Sequence, residues 1–313
     1  MAHDRRFRFG ALCATADSAQ ELRDLARKAE DLGYSTLFFP DHFVEHPLAP
    51  IPAMAMAAEA TTNLRVGALV HGNDYRHPVS LAKEAATIDL LSDGRLELGI
   101  GAGWMQRDYD VSGLQYDPPG VRVDRLAESI AVIKGLLGDA PFAFKGEYYE
   151  ISEFDSQPKP VQRPHPRLMV GGGARRILAL AAREADIVGI SANLAEGHLG
   201  QGAWQSLVEE ATDQKLRWVR EAARTRFDDL EIQTLVLHAQ VTDDRRASVD
   251  AFARVSGLSP DAALASQLTL VGTEDEIVEE LLRRRDRWQM SYFVLPAGSL
   301  DAFAPIVERV ASI

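Results

Sequence analysis

Arg167-Leu168-Met169-Val170-Gly171-Gly172-Gly173-Ala174-Arg175-Arg176-Ile177 decides how the rest of the chain is read. A short apolar run meets three glycines, and an Ala/Leu-rich helical pattern follows from Ile177 to Ala185. A strand, a turn without side chains and a helix start, in that order, make an anion site. The glycines let the backbone approach closely, and the first helical turn offers free N–H groups at the positive end of the helix dipole. The competing reading is a tight strand-to-helix turn that needs glycine for packing alone. Three glycines in a row favour phosphate binding at Gly171, Gly172, Gly173 and Ala174, with Arg175 and Arg176 at the edge.

Outward from this turn the pattern repeats. Apolar runs stand at Phe7 to Cys13, Ser35 to Phe39, Leu64 to Val70, Leu96 to Ile100, Leu168 to Val170, Asp186 to Ile190, Ile232 to Val241 and Ser291 to Leu295. Helical spacing follows them, as in Leu22, Leu25, Ala26, Ala29 and Leu32 behind a Ser18–Glu21 cap, or Leu126, Ile130, Ile133 and Leu137. Pro78 suits a first helical turn, and Thr273–Glu276 caps the helix before the last strand. The runs do not alternate strictly with polar residues, as expected for strands buried on both faces. Eight such units predict an α/β fold, a closed (β/α)8 TIM barrel, over a doubly wound open sheet. The chain reads as a single domain over residues 1–313. Its main insertion at the C-terminal rim, Gly138 to Pro166, is rich in aromatics and proline and is ordered rather than a linker. A second irregular stretch, Leu194 to Gln205, is glycine-rich.

Composition narrows the partners. A net charge of −12 argues against nucleic acid. Cys13 is the lone cysteine, which excludes an intramolecular disulfide and fits a reducing cytoplasm. No apolar run reaches the ~20 residues of a membrane span, and Met1-Ala-His-Asp-Arg5 has no signal-peptide core. The expected partner is a small-molecule substrate, in the cytoplasm and away from membranes.

In a barrel of this kind chemistry lies where the strands end. Those ends hold Asp41-His42, His71-Gly72-Asn73-Asp74, Gly101-Ala102-Gly103-Trp104, the glycine turn, Ser191-Ala192-Asn193, and His238 with Gln240 on the seventh run. One side is glycine-rich, suiting a flat or phosphorylated group. The other carries His and Asp, suiting proton transfer, which we assign to His42 oriented by Asp41. A structural turn capped by Asp41 is the plainer alternative. Gly99-x-Gly101-x-Gly103 lacks the spacing of a dinucleotide fingerprint and reads equally as a crowded rim. His42 and His46 stand four apart, but Pro47 and the missing third ligand speak against a metal, and none is expected. His238 reads as a pocket residue or a satisfied interior histidine, and Cys13 as packing.

Gly33-Tyr-Ser-Thr-Leu-Phe-Phe-Pro-Asp41-His42-Phe43, Tyr75-Arg-His-Pro78, Ala85 to Arg95, Leu98-Gly-Ile-Gly-Ala-Gly-Trp104 and Pro160-Val-Gln-Arg-Pro-His-Pro166 together resemble the luciferase-like monooxygenase superfamily, its deazaflavin (coenzyme F-420) branch above all. The resemblance implies an isoalloxazine-like ring at the strand ends, its phosphate at Gly171, Gly172 and Gly173 with Arg175 near, and Gly101 and Gly103 beside it. It implies a non-proline cis peptide among His71, Gly72 and Asn73, backing the ring. Trp104, Tyr148, Tyr149 and His238 would wall the substrate pocket. It further implies a homodimer. Sugar-phosphate dehydrogenases of this group use an Asp-His pair, matched by Asp41 and His42, and a glutamate near the fourth strand. This chain has no such glutamate, and Asp108 is the nearest acid, which argues against a sugar phosphate. The cofactor expected is coenzyme F-420, with FMN as the alternative, so the activity is hydride transfer to or from a small organic substrate. Monooxygenation with reduced FMN and oxygen is the runner-up, followed by a barrel that holds a cofactor without turnover.

Overall fold

The computed structural model describes residues 5–311. Met1 to Asp4, on which most of the N-terminal reading rests, lie outside the described residues. Eight strands form the barrel: β1 (Arg8–Leu12), β2 (Thr36–Phe39), β3 (Arg65–Ala68), β4 (Leu96–Gly101), β5 (Arg167–Gly172), β6 (Ile187–Ile190), β7 (Glu231–Leu235) and β8 (Met290–Pro296). Each pairs in parallel with the next. The β8–β1 pairing closes the ring. These are the eight runs expected from sequence. The helices are α1 (Ala19–Asp31), α2 (Pro50–Glu59), α3 (Pro78–Leu91), α4 (Gln106–Ser112), α5 (Pro119–Leu137), α6 (Arg175–Glu184), α7 (Gln201–Gln205), α8 (Glu209–Ala223), α9 (Arg245–Ser256), α10 (Pro260–Ala265), α11 (Glu274–Trp288) and α12 (Leu300–Val310). No helix among the described residues is long and apolar enough to cross a membrane.

The barrel interior is filled in two chemistries. Phe38, Met169, Ile187, Tyr292 and Val294 pack its middle, and the partly exposed Leu12, Leu69, Val70 and Leu235 lie on top of them at the strand C-terminal ends. At the N-terminal end sits a polar plug. Glu97 is fully buried, pairs with Arg8 and accepts from Tyr292 Oη at 2.8 Å. Glu231 accepts from Arg8 at 2.7 Å and Arg167 at 2.8 Å. All these residues stand near strand starts, so the plug is remote from the opposite rim.

Two expectations are corrected. The seventh run divides: after Leu235 the chain leaves the barrel, because Leu237 and His238 donate to Leu268 O at 2.9 and 3.0 Å. His238–Val241 then pairs in parallel with Thr269–Gly272 in a separate two-stranded sheet. The third run also breaks. β3 stops at Ala68, and the non-proline cis bond lies at Leu69–Val70, not among His71, Gly72 and Asn73. His71–Gly72 resumes pairing with Ile100 and Gly101 of β4. In addition, residues 242–272, to which the sequence reading assigns no element, carry α9, α10 and the Thr269–Gly272 strand, with Asp244 and Ser259 capping the two helices.

The 138–166 insertion folds as a hairpin, Phe142–Lys145 against Glu150–Phe154. Glu128 of α5 caps its turn, accepting from the amides of Glu147, Tyr148 and Tyr149 at 2.7, 2.9 and 3.1 Å. This ties the hairpin to α5.

Candidate cofactor site

The Asp41–His42 step at the end of β2 sends two adjacent side chains to different partners. His42 Nδ1 donates to Asp108 Oδ2 at 2.6 Å. Asp108 is fully buried, and its Oδ1 accepts from the amides of Phe43 and Val44 at 2.9 and 3.1 Å. Tyr75 Oη also donates to it, at 2.9 Å. With Nδ1 so committed, Nε2 is the nitrogen left for exchange. Asp41 does not orient His42, which corrects the sequence reading. It accepts from Gly72 N at 3.0 Å and from Arg76 at 2.5 and 3.2 Å, and lies 3.5 Å from His71 Nδ1. Burial acts to raise the Asp41 carboxyl, but His71 and Arg76 override it and hold it well below the usual carboxylate range. Asp41 thus fastens the end of β2 to the segment beyond β3.

Around this pair stand other expected residues. Trp104 meets the His42 ring edge-on at 5.5 Å. His46 stands beside it at 5.5 Å, its imidazole pushed down by burial and then by His42. Among the described residues no three His, Cys, Asp or Glu side chains gather as a metal site. Asn73 is 2% exposed, reaches Tyr149 Oη at 3.4 Å, and leaves its Oδ1 unpaired. Tyr149 packs edge-on against His77, and Tyr148 lies by Arg125. Gly103, at φ +75°, lies so close to Tyr109 that a Cβ would be 2.0 Å from its hydroxyl. His238 is drawn away: it bonds Ser248 Oγ at 2.8 Å and stacks on Phe252, because its strand has left the barrel. Cys13 is buried, and burial pushes its thiol up to about 11, an inert packing residue.

The glycine turn resolves into distinct parts. A Cβ on Gly172 would come within 2.3 Å of Ile177, and one on Gly173 within 2.0 Å of Ala192 O, so packing alone requires both. Gly171 is different. Its nearest obstacle is Val70 Cγ1 at 3.6 Å, while a Cβ on Gly101 would stand 2.7 Å from Val70 Cγ2. Val70, missed in the sequence reading, therefore lies between Gly101 and Gly171. With Leu12, Leu69 and Leu235 it makes an apolar floor for the rim. Ala174 is the N-cap of α6 and offers no side-chain cap, leaving first-turn amides free for a ligand. Arg175 is exposed and stands 3.5 Å from Glu221, and Arg176 pairs with Asp124. An apolar floor, the open Gly171, an uncapped helix start and the orphaned Asn73 Oδ1 fit a flat, phosphate-bearing ligand.

Fold and rim define a (β/α)8 barrel with a second group of polar side chains at the strand C-termini, opposite the N-terminal plug. The chain belongs to the luciferase-like monooxygenase family, whose model matches residues 6–242. It is 30% identical over 182 residues to an FMNH2-dependent dimethylsulfone monooxygenase of Pseudomonas putida, an alignment covering 56% of this chain and 49% of that one. It is 32% identical over 161 residues to an F-420-dependent glucose-6-phosphate dehydrogenase of Amycolatopsis mediterranei, covering 49% of this chain and 48% of the relative. The matches thus span about half the length of these curated relatives. A coenzyme F-420-dependent tetrahydromethanopterin reductase from Methanopyrus kandleri superposes with a TM-score of 0.79 at 16% identity, over 97% of this chain and 99% of that one. At that identity the likeness speaks to the fold alone.

Proposed function

We infer that this chain is an oxidoreductase moving a hydride between coenzyme F-420 and a small organic substrate, with His42 as the proton-transfer group. The observation that carries the reading is the buried Asp108 carboxylate on His42 Nδ1, which fixes the ring and leaves Nε2 to exchange a proton. When bound, the deazaflavin supplies hydride donation or acceptance at its C5. The chain's own part is to hold and orient. Val70 and its apolar neighbours would support the ring from below, and the α6 amides beyond Gly171 would take the phosphate. Trp104 and Tyr149 would bound the substrate space. This reading keeps the chain as one barrel domain working as a homodimer, with Arg175 a more peripheral phosphate partner than its sequence position implies.

A second reading, monooxygenation with reduced FMN and oxygen, is favoured by the dimethylsulfone monooxygenase relative. Absorbance titration with each cofactor separates the two. Micromolar F-420 binding followed by substrate-dependent bleaching of its absorbance is expected. Tight FMN binding with no response to F-420, and oxygen uptake with reductase-supplied flavin, would replace the first reading by the second.

A further inference from the structure

Lys215, in α8, is 2% exposed and has no part in the site described above. A buried ammonium ordinarily has a carboxylate beside it. Lys215 Nζ instead donates to two main-chain carbonyls, Ser191 O at 2.6 Å and Ser206 O at 2.5 Å. These bracket residues 192–205, and Asn193 N also donates to Ser206 Oγ at 2.8 Å, so both ends of an Ω-shaped loop meet at one ammonium. The loop reaches the rim, where Gly197 O accepts from Gln106 N at 3.1 Å. Its other side is the wall behind the glycine turn. A Cβ on Gly173 would stand 2.5 Å from Ser191 O, the oxygen that Lys215 holds. The Ser191 carbonyl oxygen thus touches both the ammonium and the turn.

Neighbouring charges are committed elsewhere. On α8, Asp213 holds Arg287 and Trp288, and Glu209 holds Arg283 and Arg287. Glu221 faces Arg175 of α6. On α11, Arg284 pairs with Glu280 and donates to the carbonyls of Ser266, Gln267 and Thr269. In the loop, Glu196 and His198 are exposed and near each other. Burial pushes the Lys215 ammonium down to about 7, with no carboxylate opposing it.

We propose that Lys215 is a positioning residue for anion binding: its charged form clasps the 191–206 loop behind the glycine turn, and a phosphate docked at that turn is its counter-ion. The proposal rests on the reading that this turn holds the cofactor phosphate. Anion and ammonium then stabilise each other, and by linkage each tightens the other's binding. Because burial lowers the Lys215 ammonium in the free protein, loading is expected to take up a proton above neutral pH, and affinity to fall as pH rises, by up to about tenfold per pH unit.

Calorimetric titration with FMN, with F-420 and with inorganic phosphate, at about pH 8 in two buffers of different ionisation enthalpy, reads that proton directly. Wild type is expected to take up most of a proton per anion bound. Lys215→Met should take up none, bind roughly fivefold or more weakly near pH 7, and lose the decline in affinity at higher pH. A Met variant with wild-type affinity and proton uptake overturns the proposal. Should that variant not fold, wild type alone decides, because binding without proton uptake overturns it too. Wild type that binds none of the three probes near pH 7 overturns the cofactor reading itself, and the proposal with it.

Discussion

In the role proposed for His42, the chemistry would turn on which carboxylate holds the ring. Asp108 does so, from 66 positions away, while the adjacent Asp41 is taken by Gly72 and Arg76. Asp108→Asn should therefore slow single-turnover hydride transfer by about a hundredfold, with F-420 affinity little changed, since an amide misorients the ring and cannot stabilise the imidazolium. An unchanged rate would remove Asp108 from the mechanism. Asp41 has the separate task of fastening backbone, and its signature is pH. Its folded-state pKa lies well below the unfolded value of about 3.9, so its stabilisation is full above that value and is lost as pH falls below it. Urea midpoints between about pH 3 and pH 7 should fall less steeply on acidification in Asp41→Asn than in wild type. Parallel curves would show that Asp41 carries no linked proton. The pair itself was legible in the sequence at the end of an apolar run. Its partners were not, because contacts across the barrel mouth leave no local signal.

At the scale of elements, the strand-to-helix turn from β5 to α6 joins two kinds of glycine that look alike in sequence. Gly171→Val sets its Cβ 3.6 Å from Val70 Cγ1, an ordinary contact. It should weaken FMN or F-420 binding by about tenfold or more with a melting temperature near wild type. Gly173→Ala drives a methyl into Ala192 O and should cost about 1–3 kcal/mol of stability, read as a lower urea midpoint. If Gly171→Val bound cofactor normally, the turn would be a packing device throughout. The elements missed in 242–272 had readable caps at Asp244 and Ser259 but short, weakly periodic helices. The divided seventh run was invisible for another reason. Continuous apolar sequence from Ile232 to Val241 serves one buried strand or two equally well, and only the Leu268 carbonyl decides where the chain turns out.

At the scale of the molecule, one barrel separates two charged regions. The plug at the N-terminal end is an ion-pair network with Glu97 fully buried. Glu97→Gln leaves Arg8 short of a partner inside the barrel and should cost about 3 kcal/mol in chemical denaturation. Cofactor binding at the opposite rim should be unaffected in the folded variant; a parallel loss of cofactor affinity would mean that the two ends are coupled. By itself the sequence determined the eight-strand barrel, and it put the Asp41–His42 pair and the glycine turn at the ends of strands. Each rests on local periodicity or on a residue type whose backbone freedom or functional group is intrinsic. Only the tertiary structure decided that His42 answers to Asp108, that Val70 floors the rim between Gly101 and Gly171, that His238 leaves the barrel, and that Lys215 stands behind the turn. Those are distances between residues far apart in the chain, and closing the barrel is what brings them together.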